Sequence, residues 1–176
     1  YKRQLLGSIP ITENDKLFNR SILINPDGDI ISIYDKIHMF DITLKNGESY
    51  KESDFYSPGS ELKITTVLGH SVGHTICYDL RYPKLYRALA KKGSQIIVVP
   101  SAFTHTTGKA HWHSLIKARA IENGVFILAP NQWGVNNEKR VTYGHTLIVD
   151  PWGETLAEAE DGEMIITAEL DLNRVR

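Results

Sequence analysis

Cys77 is the single cysteine of the chain, in the segment His74-Thr75-Ile76-Cys77-Tyr78-Asp79-Leu80-Arg81-Tyr82-Pro83. An apolar strand should stop there and a helix begin. A side chain at such a junction lies at the rim of a sheet, where ligands meet the carboxyl ends of strands. A thiol in that place is either a small buried hydrophobe or a nucleophile. A nucleophile needs its thiolate stabilised by a cation or a helix N-terminus, and a proton acceptor nearby. Tyr78, Asp79 and Arg81 follow at once and are all polar, an unusual setting for an inert core thiol. Asp79 and Arg81 are expected to pair with each other and hold the turn. Lys36, in Tyr34-Asp35-Lys36-Ile37-His38-Met39-Phe40-Asp41, also follows a strand end. An amine there could stabilise a developing oxyanion, because preorganised positive charge acts strongly in a dry site. Glu52, in Tyr50-Lys51-Glu52-Ser53, reads by itself as a surface glutamate.

These residues need elements to position them. Asn19 to Ile24 and Ile30 to Tyr34 read as a hairpin around Pro26-Asp27-Gly28-Asp29, where Pro fixes φ and Gly tolerates a positive φ. The polar stretch from Lys36 to Ser60 is too long for an idle connection. Leu62 to Val67 and Ser71 to Ile76 form a second hairpin. Pro83 to Lys92 has helical spacing, with Pro at the start and Gly93 just past the end. Gln95 to Pro100 and Val125 to Pro130 read as strands buried on both faces. Ala110 to Asn123 is the helix between them. The order strand-helix-strand-helix-strand implies right-handed crossovers and parallel pairing. Gly144 to Val149 pairs with Thr155 to Ala159 across Asp150-Pro151-Trp152-Gly153, and a further strand is expected from Met164 to Leu170. Hairpins flanking a parallel core suggest two sheets packed face to face with helices outside.

The bulk composition narrows the function. The 176 residues suggest one ordinary domain, and hydrophobic residues at 41% supply a core. A formal net charge of −1 offers no electrostatic footing for nucleic acid or an anionic membrane. One cysteine makes no internal disulfide, so a reducing, cytoplasmic setting is expected. No apolar run is long enough to suggest a membrane helix, and no signal peptide is visible. His105, His111 and His113 invite a zinc reading, but no HExxH pattern or cysteine pair supplies metal spacing, so no metal is expected.

The ordered set of segments resembles the nitrilase (carbon-nitrogen hydrolase) superfamily over nearly the whole chain. Leu6-Gly7-Ser8-Ile9-Pro10, Lys16-Leu17-Phe18-Asn19 and Asn25-Pro26-Asp27-Gly28 are similar to the strands that lead to the family's catalytic lysine. The Lys36 and Cys77 segments are similar to its lysine and nucleophile motifs. Pro100-Ser101-Ala102-Phe103, Gly108-Lys109-Ala110-His111-Trp112, Arg119-Ala120-Ile121-Glu122-Asn123, Tyr143-Gly144-His145 and Val149-Asp150-Pro151-Trp152-Gly153 follow in order. One departure is His113, where many relatives carry Glu.

The resemblance implies an α/β fold, the αββα sandwich of the nitrilase type, and a Glu-Lys-Cys triad without metal or organic cofactor. Cys77 would be the nucleophile, and Lys36 with the backbone N–H of Tyr78 would cradle the oxyanion. Glu52 matches a second glutamate that orients substrate and lysine. The general-base glutamate belongs upstream of Leu6. Residues 1–176 are therefore expected to be one hydrolase domain that is incomplete at its N-terminus and C-terminal tail, and inactive and poorly soluble when isolated. Gln132-Trp133-Gly134 and Asn136 to His145 resemble the amidase branch that hydrolyses deaminated glutathione. The alternatives are the ω-amidase branch, acting on 2-oxo acid amides, and a non-catalytic binding relative. Tyr78 argues against an aliphatic nitrilase. A small amide is the expected substrate and a homo-oligomer, a dimer or larger, the expected assembly. Arg140 and Lys139, on a loop near the rim, are candidates to pair with a substrate carboxylate.

Overall fold

The computed structural model describes residues 4–44, 47, 49–137 and 140–175, and for residues 4–6 the backbone alone. The chain divides into two compact units, Tyr1–Lys63 and Ile64–Arg176.

In the first unit, β1 (Gln4–Glu13), β2 (Lys16–Ile24) and β3 (Ile30–Asp35) form an antiparallel sheet in chain order. Asn14 and Asp15 join β1 to β2 with φ of 49° and 59°. Two successive positive φ values give a turn whose twist matches that of the flanking strands. The β2–β3 turn forms as the sequence predicts. Asn25 Oδ1 accepts the amides of Asp27 and Asp29 at 3.0 and 2.8 Å, and Gly28 takes φ +94°. Buried Arg20 lies opposite Asp35 in the β2–β3 register and grips it with Nε at 2.6 Å and Nη2 at 2.9 Å.

The stretch from Lys36 to Ser60 is more ordered than its polarity suggests. It holds a hairpin of β4 (Asp41–Thr43) and β5 (Ser49–Lys51), then a 3-10 turn at Glu52–Asp54. The Phe40 and Tyr50 rings meet at 5.1 Å.

The second unit contains β6 (Ile64–Val67), β7 (His70–His74), α1 (Pro83–Lys91), β8 (Ile96–Val98), α2 (His105–Asn123) and β9 (Phe126–Ala129). It continues through β10 (Trp133–Asn137), β11 (Arg140–Tyr143), β12 (Leu147–Val149) and β13 (Thr155–Glu158). Six strands make one mixed sheet in the order β13-β12-β9-β8-β7-β6, with β7, β8 and β9 parallel. Two right-handed crossovers that advance in the same direction place both helices on one face, and α1 and α2 pack on each other. Trp112, Ile116 and Ala120, four residues apart, form the buried stripe of α2.

α2 begins five residues earlier than its apolar spacing predicts. Thr104 caps it by accepting the Thr107 amide, and Gly108 lies so close to Tyr143 that a Cβ would fall 2.3 Å from the Tyr143 Cβ. The hairpin of β10 and β11 was not foreseen. The strand expected from Met164 to Leu170 does not form. Among the described residues no neighbour supplies a ladder of hydrogen bonds, and an unpaired segment has no reason to become a strand. Ile165 there is 93% exposed.

Candidate functional site

Lys36 follows β3 directly and is buried. Its amide donates to the Asn19 carbonyl at 2.9 Å and its carbonyl accepts from Gly59 at 2.8 Å, so the backbone is held from both sides. Gly59 has to be glycine, because a Cβ would fall 2.3 Å from the Asp35 carbonyl oxygen. The Lys36 ammonium donates to Glu52 Oε2. That oxygen also accepts the Phe40 amide at 2.7 Å, while Oε1 accepts Asn19 Nδ2 at 3.0 Å. Asp35, next in sequence to Lys36, is engaged by Arg20, whose guanidinium is pushed to even higher pKa by that carboxylate despite burial. Glu52 is thus the carboxylate that sets the position of the Lys36 amine. The structure brings these two predicted residues together, and Glu52 is not an ordinary surface glutamate. Asn19 and the Phe40 amide complete the clamp. Asn19 stood in a motif of the sequence, but nothing there assigned it this task.

Cys77 opens a 3-10 helix, Cys77–Arg81, just beyond the carboxyl end of β7. Its φ is +47°. A non-glycine residue in the left-handed region costs about 1–2 kcal/mol and persists only where its surroundings over-determine it. The surroundings do so here. The Cys77 amide donates to the Pro100 carbonyl at 3.0 Å, extending the β7–β8 pairing past both strand ends. Asp79, wholly buried, takes the Ile76 amide on its carboxylate at 2.9 Å, and the Asp79 amide returns to the Ile76 carbonyl at 3.0 Å.

Arg119, on α2, donates from Nε to the Leu80 carbonyl at 2.9 Å and lies over the Tyr86 ring at 5.5 Å. Thr75 is bonded to the Tyr86 hydroxyl at 2.8 Å, and burial pushes that phenol well above its usual pKa. The outcome is a half-buried thiol on a braced, strained turn at a strand end, an arrangement suited to a nucleophile. Tyr78 follows in the same turn, as expected. The bond described for the Asp79 carboxylate comes from the Ile76 amide, where Arg81 was expected. Arg81 reaches His111 Nδ1 at 3.2 Å and lies over the rings of Tyr78 and Phe103 at 5.8 and 5.6 Å.

Arg140 is not on an open loop. It begins β11, is half-buried, and donates from Nη2 to the Ala102 carbonyl at 3.3 Å. Its Nε is buried and finds no hydrogen-bond partner among the described residues, which leaves the guanidinium a spare donor. Lys139 lies outside the described residues. The three histidines of α2 separate. His111 meets Arg81, His105 has its ring 5.9 Å from Tyr143, and His113 Nε2 lies 2.8 Å from Glu158.

A profile of the carbon-nitrogen hydrolase family matches residues 3–176. The deaminated glutathione amidase of Yersinia enterocolitica is 41% identical over 170 residues, covering 94% of this chain and 59% of its own length. The omega-amidase NIT3 of Saccharomyces cerevisiae is 40% identical over 167 residues, covering 94% of this chain and 57% of its own. The crystal structure of the Caenorhabditis elegans NitFhit protein superimposes with a TM-score of 0.92 at 36% identity, covering 98% of this chain and 43% of the other. This agreement bears out the α/β fold class expected from the sequence. The chain spans roughly three fifths of the length of the two amidases.

Proposed function

The chain belongs to the carbon-nitrogen hydrolase family, and from that premise we propose that its protein is an amidase working through a cysteine thioester. Cys77 is the nucleophile. A general base removes the thiol proton, sulfur bonds to the amide carbonyl carbon, and the carbonyl π electrons move onto oxygen. Lys36 and the Tyr78 N–H stabilise that oxyanion. Collapse breaks the C–N bond, the departing amine takes the proton, and water then hydrolyses the thioester. Glu52 acts on Lys36, fixing where its charge points, and residues 1–176 form part of one catalytic domain. The observation that carries this reading is the Lys36 ammonium held by a carboxylate that itself takes two further donors. An exposed lysine would have no need of such a clamp.

The substrate is a small carboxylated amide, deaminated glutathione ahead of 2-oxoglutaramate. The relatives named for these two activities stand equally near in identity, so the order rests on the segment from Gln132 to His145. Arg140 is the carboxylate anchor, supported by its unpartnered buried Nε, since a guanidinium grips a carboxylate bidentately. No helix among the described residues is long and apolar enough to cross a membrane. Cytoplasmic residence and a homodimer complete the proposal.

The test compares kcat/KM for both amides, an uncharged amide and an aliphatic nitrile in the full-length enzyme, with Cys77→Ala, Lys36→Ala and Arg140→Ala. Cys77→Ala should abolish turnover, and Lys36→Ala should lower kcat by about 100- to 1,000-fold. Arg140→Ala should raise KM for the carboxylated amides alone. A preference for the nitrile or the uncharged amide would overturn the substrate assignment, and an active Cys77→Ala enzyme would overturn the mechanism.

A further inference from the structure

Three residues far apart in sequence converge on one point of the second unit. His113 comes from α2, His145 from the loop before β12, and Glu158 from the end of β13. Glu158 Oε1 lies 2.8 Å from His113 Nε2 and 2.9 Å from His145 Nδ1. The three ligand atoms all fall within 4.8 Å of one another. We propose that His113, His145 and Glu158 form a three-ligand site for a divalent transition-metal ion of the zinc class.

The donor chemistry fits. Two imidazoles and one carboxylate are borderline ligands, which favour zinc and its neighbours over calcium or magnesium. With bonds of about 2.0–2.1 Å, tetrahedral donors stand about 3.3 Å apart. The two nitrogen–oxygen separations need to open by only about half an ångström to admit the ion. All three groups are half-exposed, with side-chain exposures of 34%, 28% and 37%, so an ion can enter from water. A hollow lined by His145, Glu158, Ala159, Glu160 and Asp161 opens beside them and leaves room for a water as fourth ligand.

The surroundings also fit. A metal-bound histidine usually turns its other ring nitrogen to a carboxylate, which fixes tautomer and orientation. His145 presents Nε2 to Asp161 Oδ1 at 4.0 Å, and the Trp133 indole anchors that same oxygen at 3.1 Å. When Nδ1 takes the metal, its proton can sit on Nε2 facing Asp161. The His145 ring is held in place independently. Its backbone is in the left-handed region at φ +57°, its carbonyl accepts the Trp112 indole at 2.7 Å, and Tyr143 lies against it at 4.4 Å between centroids. A bound ion would tie α2, the loop before β12 and β13 together.

The test uses the protein stripped with chelator and titrated with zinc(II) alone by calorimetry, in wild type, His113→Ala, Glu158→Gln, Asp161→Asn and Cys77→Ser. Cobalt(II) absorption and melting temperature are read in parallel, and circular dichroism checks each fold. Wild type and Cys77→Ser should bind one ion and melt at higher temperature with it. Asp161→Asn should weaken binding by roughly 10- to 100-fold, as loss of an outer partner does, and His113→Ala and Glu158→Gln by more. Cobalt should show a four-coordinate spectrum without a thiolate charge-transfer band. Absence of saturable one-to-one binding, binding that survives both His113→Ala and Glu158→Gln, or binding lost only in Cys77→Ser would each overturn the site.

Discussion

Glu52 offers the sharpest test of how the lysine is positioned. Glu52→Ala removes the acceptor of three donors and leaves the Lys36 ammonium, whose side chain is 2% exposed, without its carboxylate. Breaking a buried ion pair by deleting one partner costs about 3–5 kcal/mol, mostly for the stranded charge. Glu52→Gln keeps the shape. Its oxygen can still receive Lys36 and the Phe40 amide, and the Asn19 amide can rotate to meet the new NH2. Charge-assisted bonds are roughly twice as strong as neutral ones, so two such bonds weakened by about 1 kcal/mol each give a loss of about 2 kcal/mol. Urea unfolding near neutral pH should rank wild type above Glu52→Gln above Glu52→Ala, at unchanged m. If Glu52→Ala does not fold, Glu52→Gln still reports on the charge.

The decisive measurement is the cycle with Lys36→Met. Once the ammonium is gone, deleting Glu52 strands nothing, so the double variant should be more stable than the summed losses by about 1–3 kcal/mol. Additivity within about 0.5 kcal/mol would show that the pair is not coupled, and the argument for a clamped lysine would fail.

Three further outcomes are expected. Cys77→Gly should be inactive yet more stable than Cys77→Ala by about 1 kcal/mol, because glycine relieves the strain of φ +47° at a smaller entropic cost; an alanine variant of equal or greater stability would refute the strain. Gly59→Ala should lose about 1–3 kcal/mol in urea unfolding and lower kcat, since its methyl group drives into the Asp35 carbonyl beside Lys36; unchanged values would show that the loop yields freely. The Asp41 carboxyl is held below its ordinary 3.8 chiefly by the Ser53 hydroxyl and amide, so its small contribution to stability is complete above that pH and is lost as pH falls through the folded value; NMR titration should find the depressed midpoint in wild type and a higher one in Ser53→Pro, which lacks both donors.

Local pattern was enough for the regular elements and for the identity of the chemical groups. The Pro-Asp-Gly turn, the apolar runs of β8 and β9, and α1 between Pro83 and Gly93 depend on dihedral preference and burial period, which neighbouring residues carry. The order of the Lys36 and Cys77 segments was readable for the same reason. Asn46-Gly47 between two short runs is itself a hairpin signal in the sequence.

What escaped the sequence is whatever depends on convergence. Nothing near Glu52 in the chain shows that Asn19 and Lys36 will share its carboxylate, since strand pairing brings them there. Nothing in Cys77-Tyr78-Asp79 announces a positive φ, because the left-handed residue is cysteine, and the buried Asp79 and the Pro100 carbonyl hold it in place. Met164 to Leu170 carries strand-like alternation, but a strand exists only where a partner meets its hydrogen bonds. His113, His145 and Glu158 have no metal spacing in sequence because one helix, one loop and one strand end supply them. Spacing along a chain can specify a site carried on a single element, whereas a site built from three is specified only by packing.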